Sequence, residues 1–124
     1  MDGDLLMNPI VDKSFDFAVK IVNLARTVRD RKEYELARQI LRSGTSIGAN
    51  IAESQRTQSR KDFLAKMHIA AKEANETEYW LKLLHITGII TDREFYSCYD
   101  DIKEIIRILM SITTTVQNKI INKQ

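Results

Sequence analysis

The chain is predicted to be all-α, an antiparallel up-down-up-down four-helix bundle formed by residues 1–124 as one domain, with short flexible ends. Three observations predict it. Its 124 residues include only four glycines and one proline, Pro9, too little turn chemistry for a β-rich fold. Apolar residues recur at steps of three and four in four successive blocks, the period of a helix face. The segments between those blocks are short and polar, which forces neighbouring helices to run antiparallel.

The first helix is expected to start near Asn8-Pro9 or at Asp12, both N-terminal signals. Phe15, Ala18, Val22 and Ala25 form its lead stripe, with Phe17, Ile21, Leu24 and Val28 beside them and Lys13, Asp16, Lys20, Asn23 and Thr27 opposite. The charged run Arg29-Asp-Arg-Lys-Glu33 breaks the pattern and reads as a connection. A second helix follows through Leu36, Ile40, Gly44, Ile47 and Ile51, and the polar run Ser54-Gln-Arg-Thr-Gln-Ser59 ends it. Ser59 with Asp62 three residues on resembles a capping box. It opens a third helix with the heptad Phe63, Met67, Ala70, Ala74, Thr77, Leu81 and Leu84, which Gly88 stops. Thr91-Asp-Arg-Glu94 is a full capping box. The fourth helix then carries a seam of Phe95, Tyr99, Ile102, Ile106, Leu109, Thr113, Val116 and Ile120.

The segment from Ser43 to Ser54 is the most informative. Gly44 and Gly48 lie four apart inside a helical pattern, although glycine in a helix interior costs roughly 1 kcal/mol against alanine. Such a pair implies close backbone approach, and Ala70, Ala71 and Ala74 of the third helix are the expected neighbours. Asn50, near that seam, is expected to make an interhelical contact that sets register.

Composition narrows the function classes. No run reaches the ~20 apolar residues that span a bilayer, and the start, Met-Asp-Gly-Asp-Leu-Leu-Met7, is acidic and short, unlike a signal peptide. Cys98 is the only cysteine, so no intrachain disulfide can form; together these features predict a cytoplasmic protein. Residues 20–66 hold eleven Lys and Arg against five Asp and Glu, a balance of +6, whereas residues 72–104 hold four against eight, a balance of −4. That asymmetry fits an anionic partner or complementary faces in self-assembly.

The run Leu41-Arg-Ser-Gly-Thr-Ser-Ile-Gly-Ala-Asn-Ile-Ala-Glu53 resembles the signature of the four helix bundle protein family, whose bacterial members are encoded in intervening sequences of 23S rRNA genes. Ser59-Arg-Lys-Asp-Phe-Leu64, Ile69-Ala-Ala-Lys-Glu-Ala-Asn-Glu-Thr-Glu-Tyr-Trp-Leu81 and Asn8-Pro-Ile-Val-Asp-Lys-Ser-Phe15 are similar to further stretches of it, so the resemblance extends from about Asn8 to Thr115. Many relatives carry Gly where Ser54 stands. The family is similar to accessory proteins of diversity-generating retroelements, ring-like homopentamers with basic surfaces that engage nucleic acid and a reverse transcriptase. The resemblance therefore implies a homo-oligomer, a pentamer, with RNA or DNA and a reverse transcriptase as partners, and no enzymatic role.

The residues themselves give no catalytic constellation. A di-iron bundle needs Glu-x-x-His pairs, but Ala65 precedes His68 and Lys82 precedes His85 at that spacing, so no metal or other cofactor is expected. Helical ribonucleases of the HEPN type use Arg, four to six intervening residues, then His; seven residues separate Arg60 from His68. His68 and His85 read as partly exposed polar positions and Cys98 as a small buried hydrophobe. The stronger lead is a set of cations, Arg38, Arg42, Arg56, Arg60, Lys61 and Lys66, around the connection between the second and third helices, near a helix N-terminus that favours phosphate. No aromatic residue interleaves them, so backbone phosphate rather than stacked bases is the expected target. Ile69, Trp80 and Leu83 form a second apolar stripe on the third helix, a candidate subunit contact. The expected function is a non-enzymatic oligomeric accessory or scaffold; the alternative is a protein-interaction module with no nucleic-acid role.

Overall fold

In the computed structural model, residues 4–122 are described, with side chains from Pro9 onward. Four helices follow in order: α1 (Asp4–Asp30), α2 (Tyr34–Ser54), α3 (Arg60–Ile86) and α4 (Asp92–Asn122). Each packs on its neighbours around a square, α1 on α2, α2 on α3, α3 on α4 and α4 on α1, and the diagonal pairs do not come together. This is the antiparallel four-helix bundle that the spacing predicts.

One rule organises the core. Buried residues alternate at steps of three and four on every helix: Ile10, Ser14, Phe17, Ile21, Leu24 and Val28 on α1; Ala37, Ile40, Gly44, Ile47, Ile51 and Ser54 on α2. Met67, Ala70, Ala74, Thr77, Leu81 and Leu84 continue it on α3, and Phe95, Cys98, Ile102, Ile105, Leu109 and Ile112 on α4. This is the repeat of helices that meet at a shallow angle, knob into hole. Where the core is polar it is satisfied. Thr77 donates to the Glu73 carbonyl at 2.8 Å and lies 2.9 Å from Ser43 Oγ across the α2–α3 seam.

Two seams differ from the sequence reading by a rotation. On α1 the flanking set Phe17, Ile21, Leu24 and Val28 goes inside, while Phe15 is 68% exposed. On α4, Cys98 and Ile105 take the places read as Tyr99 and Ile106, which are only half-buried, and Ile112 goes inside beside the expected Thr113. Both helices are apolar around much of their circumference, so their own periodicity leaves the phase open. Cross-helix ion pairs accompany the observed phase: Lys13 reaches Glu104 at 3.1 Å, and Lys20 reaches Asp101 at 2.6 Å. α1 also begins earlier than expected, at Asp4, with Pro9 inside its second turn.

The glycine pair faces α1, not the alanines of α3. A Cβ on Gly44 would lie 2.6 and 2.8 Å from Ile21 Cγ2 and Cγ1, and one on Gly48 would lie 3.2 Å from the Ser14 carbonyl oxygen. Close approach is thus real but belongs to the α1–α2 pair. Asn50 makes its hydrogen bond within its own helix, its amide donating to the Ser46 carbonyl at 2.8 Å, and none to another helix among the described residues.

The turns at one end of the bundle share a device. Beyond α1, Lys32 N–H donates to the Arg29 carbonyl and Glu33 N–H to that of Val28, with Lys32 at φ 68°. Beyond α3, Gly88 N–H donates to His85 and Ile89 N–H to Leu84, with Gly88 at φ 77°. Both are Schellman closures, one built on the usual glycine and one on a lysine. The run read as the first connection therefore shrinks to Arg31–Glu33, because helix continues through Asp30.

Candidate nucleic-acid interface

The α2–α3 connection owes its shape to short-range hydrogen bonds. Ser54, 2% exposed, donates from Oγ to the Ile51 carbonyl at 2.6 Å, and Thr57 Oγ1 donates to the Ser54 carbonyl at 2.8 Å. Arg56 N–H donates to the Glu53 carbonyl at 3.0 Å, so the chain tightens as it leaves α2. Ser59 is extended and its Oγ accepts the Asp62 N–H at 3.0 Å, capping α3 as the Ser-x-x-Asp spacing predicts. That cap occupies one free N–H of the helix start, and Asp62 adds a carboxylate there.

The six candidate cations divide into two groups. Arg38 is held by Glu35 on its own helix. Arg42 bridges to α3, at 3.1 Å from Glu73 and in contact with Glu76, and Lys66 reaches back to Glu53 at 2.7 Å. Arg56, Arg60 and Lys61 are exposed and, among the described residues, carry no ion pair. All three lie on the α2–α3 connection or the first turn of α3, at one end of the bundle. The sequence could not separate the groups, because Glu73 and Glu76 stand over thirty positions from Arg42.

The other singled-out residues have local roles. Ile69 is 42% exposed; Trp80 and Leu83 are half-buried, and Trp80 packs against the core while its indole N–H donates to Glu76 at 3.3 Å. His68 is exposed, and His85 stacks on Phe95 with ring centroids 4.1 Å apart and lies 2.7 Å from Asp92. Cys98 is buried, and burial pushes its thiol up to about 11, so it is no nucleophile near neutrality. Among the described residues no group of three or more His, Cys, Asp or Glu could hold a metal ion, and no helix is long and apolar enough to cross a membrane.

At the opposite end, a clamp escaped the sequence reading. Arg31 forks onto Glu94 at 2.7 and 2.9 Å and donates to the Ile89 carbonyl at 2.7 Å. Glu94 also completes the predicted box, accepting from Thr91 N–H at 2.8 Å while its own N–H donates to Thr91 Oγ1 at 3.1 Å. The Arg31 guanidinium, then the Thr91 amide, hold the Glu94 carboxyl down at about 2. The box was visible as a motif; the arginine, 63 residues away, was not.

Comparison with known proteins locates this bundle. A family model described as 23S rRNA-intervening sequence protein matches residues 8–111. No curated protein matches the chain. Among solved structures it is similar to the crystal structure, at 1.70 Å, of a protein with unknown function from the S23 ribosomal protein family of Bacteroides thetaiotaomicron VPI-5482. The two are 54% identical with a TM-score of 0.81, over 84% of this chain and 97% of that one.

Proposed function

Because the chain belongs to the 23S rRNA-intervening sequence protein family, we propose that it is a non-enzymatic, ring-forming accessory or scaffold protein that meets nucleic acid through Arg56, Arg60 and Lys61. The observation that carries this reading is the isolation of those three charges. Elsewhere in the candidate set the bundle spends its cations on its own carboxylates, but this corner leaves three without an ion pair among the described residues. No aromatic ring is interleaved with them, so the mode is contact with backbone phosphates, indifferent to base sequence. In an oligomer each subunit repeats the corner, and weak contacts add when one nucleic acid spans several subunits.

The test is a salt titration with structured RNA and with duplex DNA. Log affinity falls linearly with log salt, by nearly one unit of slope per neutralised duplex phosphate. Reversing Arg56, Arg60 and Lys61 to Glu removes this binding and leaves helicity unchanged. Reversing Lys72, Arg93 and Arg107, exposed cations dispersed over α3 and α4, costs less. Absence of salt-sensitive binding near about 50 mM salt, or equal losses in both triple variants, refutes the nucleic-acid reading. In that event the protein-interaction reading stands, supported by the exposed apolar side chains on the outside of the bundle.

A further inference from the structure

Where α3 meets α4 the bundle carries a groove of about 560 Å³, lined by Glu78, Lys103, Glu104, Ile106, Arg107 and Met110. Its apolar part is Ile106, half-buried against the core, and Met110, 61% exposed. Methionine is unbranched and adaptable, and suits a surface that takes up a partner's side chain. The charges around it are uneven. Glu104 is turned to α1, where Lys13 holds it at 3.1 Å. Glu78 keeps one buried oxygen without a hydrogen-bond partner among the described residues, and Lys103 stands 3.7 Å from it, beyond hydrogen-bond reach. Asp100, a turn before Lys103, is exposed and forms no ion pair with it. Lys82 and Lys103 lie 6.0 and 5.8 Å from the centre of the Tyr99 ring, and Arg107 follows Lys103 one turn on, exposed and without an ion pair among the described residues. Three cations thus run along the groove, whereas Arg42 on the α2–α3 side and Lys13 and Lys20 on the α1–α4 side are each held by carboxylates.

We propose that this groove docks an acidic amphipathic helix of a partner protein. One large apolar side chain of that helix lies on Ile106 and Met110, and its Asp or Glu residues pair with Lys82, Lys103 and Arg107. This goes beyond the reading above, which concerns nucleic acid and another corner of the bundle. Two packed helices leave a furrow between them that a third can fill, the mode of a helix laid in a groove. Lys103 and Arg107 are one turn apart, so carboxylates one turn apart on an aligned helix meet them in register. The apolar anchor supplies contact area at the centre, and the cations at the border supply orientation and speed of encounter. Nucleic acid is a poorer occupant, since phosphates gain nothing from Ile106 and Met110 and are repelled by Glu78. A basic helix sets cation against cation along the whole border.

The probe is a fluorescently labelled helical peptide of about 18 residues, with Leu along one face and Glu one turn apart beside it; a second peptide carries Lys for each Glu. Anisotropy titrations are expected to show saturable binding of the acidic peptide that weakens with salt, and binding of the basic one weaker by about tenfold or more. Met110→Glu and Arg107→Glu, both at exposed positions, are each expected to weaken the acidic peptide by about tenfold, whereas Phe15→Ser on α1 leaves it unchanged. Should Met110→Glu lose helicity, Met110→Ser takes its place with the same expected direction. Equal binding of the two peptides, undiminished binding by the Met110 or the Arg107 variant, or displacement of the peptide by structured RNA or duplex DNA overturns the docking site. So does a fall in particle mass for Met110→Glu, which would make the groove a contact between copies. The Arg56 corner is judged by its own salt titration, so either reading can fail alone.

Discussion

Replacing Gly44 with alanine sets two effects of opposite sign against each other, and the structure says which wins. Alanine gains roughly 1 kcal/mol of helix propensity over glycine. The added methyl carbon, however, would stand 2.6 and 2.8 Å from the γ carbons of Ile21 and 3.1 Å from its Cβ. Ile21 is fully buried and, being β-branched, strongly prefers one χ1 rotamer in a helix, so moving it aside is costly. Overpacking of this kind costs about 1–3 kcal/mol, leaving a net loss of up to about 2 kcal/mol. At Gly48 the clash is milder, 3.2 Å to the Ser14 carbonyl oxygen, and the propensity gain is expected to offset it to within about 0.5 kcal/mol. Urea denaturation at fixed protein concentration measures both through the midpoint at constant slope. A cycle with Ile21→Ala identifies the cause, because that change deletes the two clashing γ carbons. Ile21→Ala alone costs about 2–5 kcal/mol, but in its background Gly44→Ala is expected to turn neutral or stabilising. A Gly44→Ala protein more stable than wild type, or an absence of coupling to Ile21, refutes the close-approach account.

Two further outcomes can be read by denaturation. Lys32→Gly relieves a left-handed residue in the first Schellman turn and is expected to stabilise by up to about 1 kcal/mol, while Gly88→Ala, at φ 77°, costs about the same; a stabilising Gly88→Ala would refute the role given to that turn. Thr91→Ala removes one half of the α4 box and is expected to cost about 1 kcal/mol. Since the Glu94 carboxyl is held below its ordinary value, its ion pair stabilises fully above about 4.5 and is lost as pH falls towards about 2. Glu94→Gln is therefore expected to be less stable than wild type near neutrality, by about 1–2 kcal/mol given its partial exposure. The gap should close on acidification; a gap constant from pH 7 to 2 would deny Glu94 this role.

The legible part of this protein was local. Helix number, antiparallel order, the Ser59 and Thr91 caps and the Gly88 stop each depend on residues within four positions of one another, and each appears where its spacing placed it. The Lys32 turn left no such mark, since lysine carries no preference for a left-handed backbone. For the candidate interface, the sequence supplied six cations but not which of them remain free, because Arg42 and Lys66 find their partners on a neighbouring helix.

What the sequence by itself determined is thus the set of elements, the caps that open α3 and α4 and the stop after α3, which follow from backbone hydrogen bonding and a 3.6-residue period. What only the tertiary structure decided is rotation: which stripe of α1 and α4 turned inward, that the glycines met Ile21 and Ser14, and that Phe15 stayed outside. A helix apolar over much of its circumference has several nearly equivalent ways to face a core. The choice falls to the neighbours, through steric fit at Gly44 and the ion pairs of Lys13 and Lys20 with α4, and neither is written within one helix.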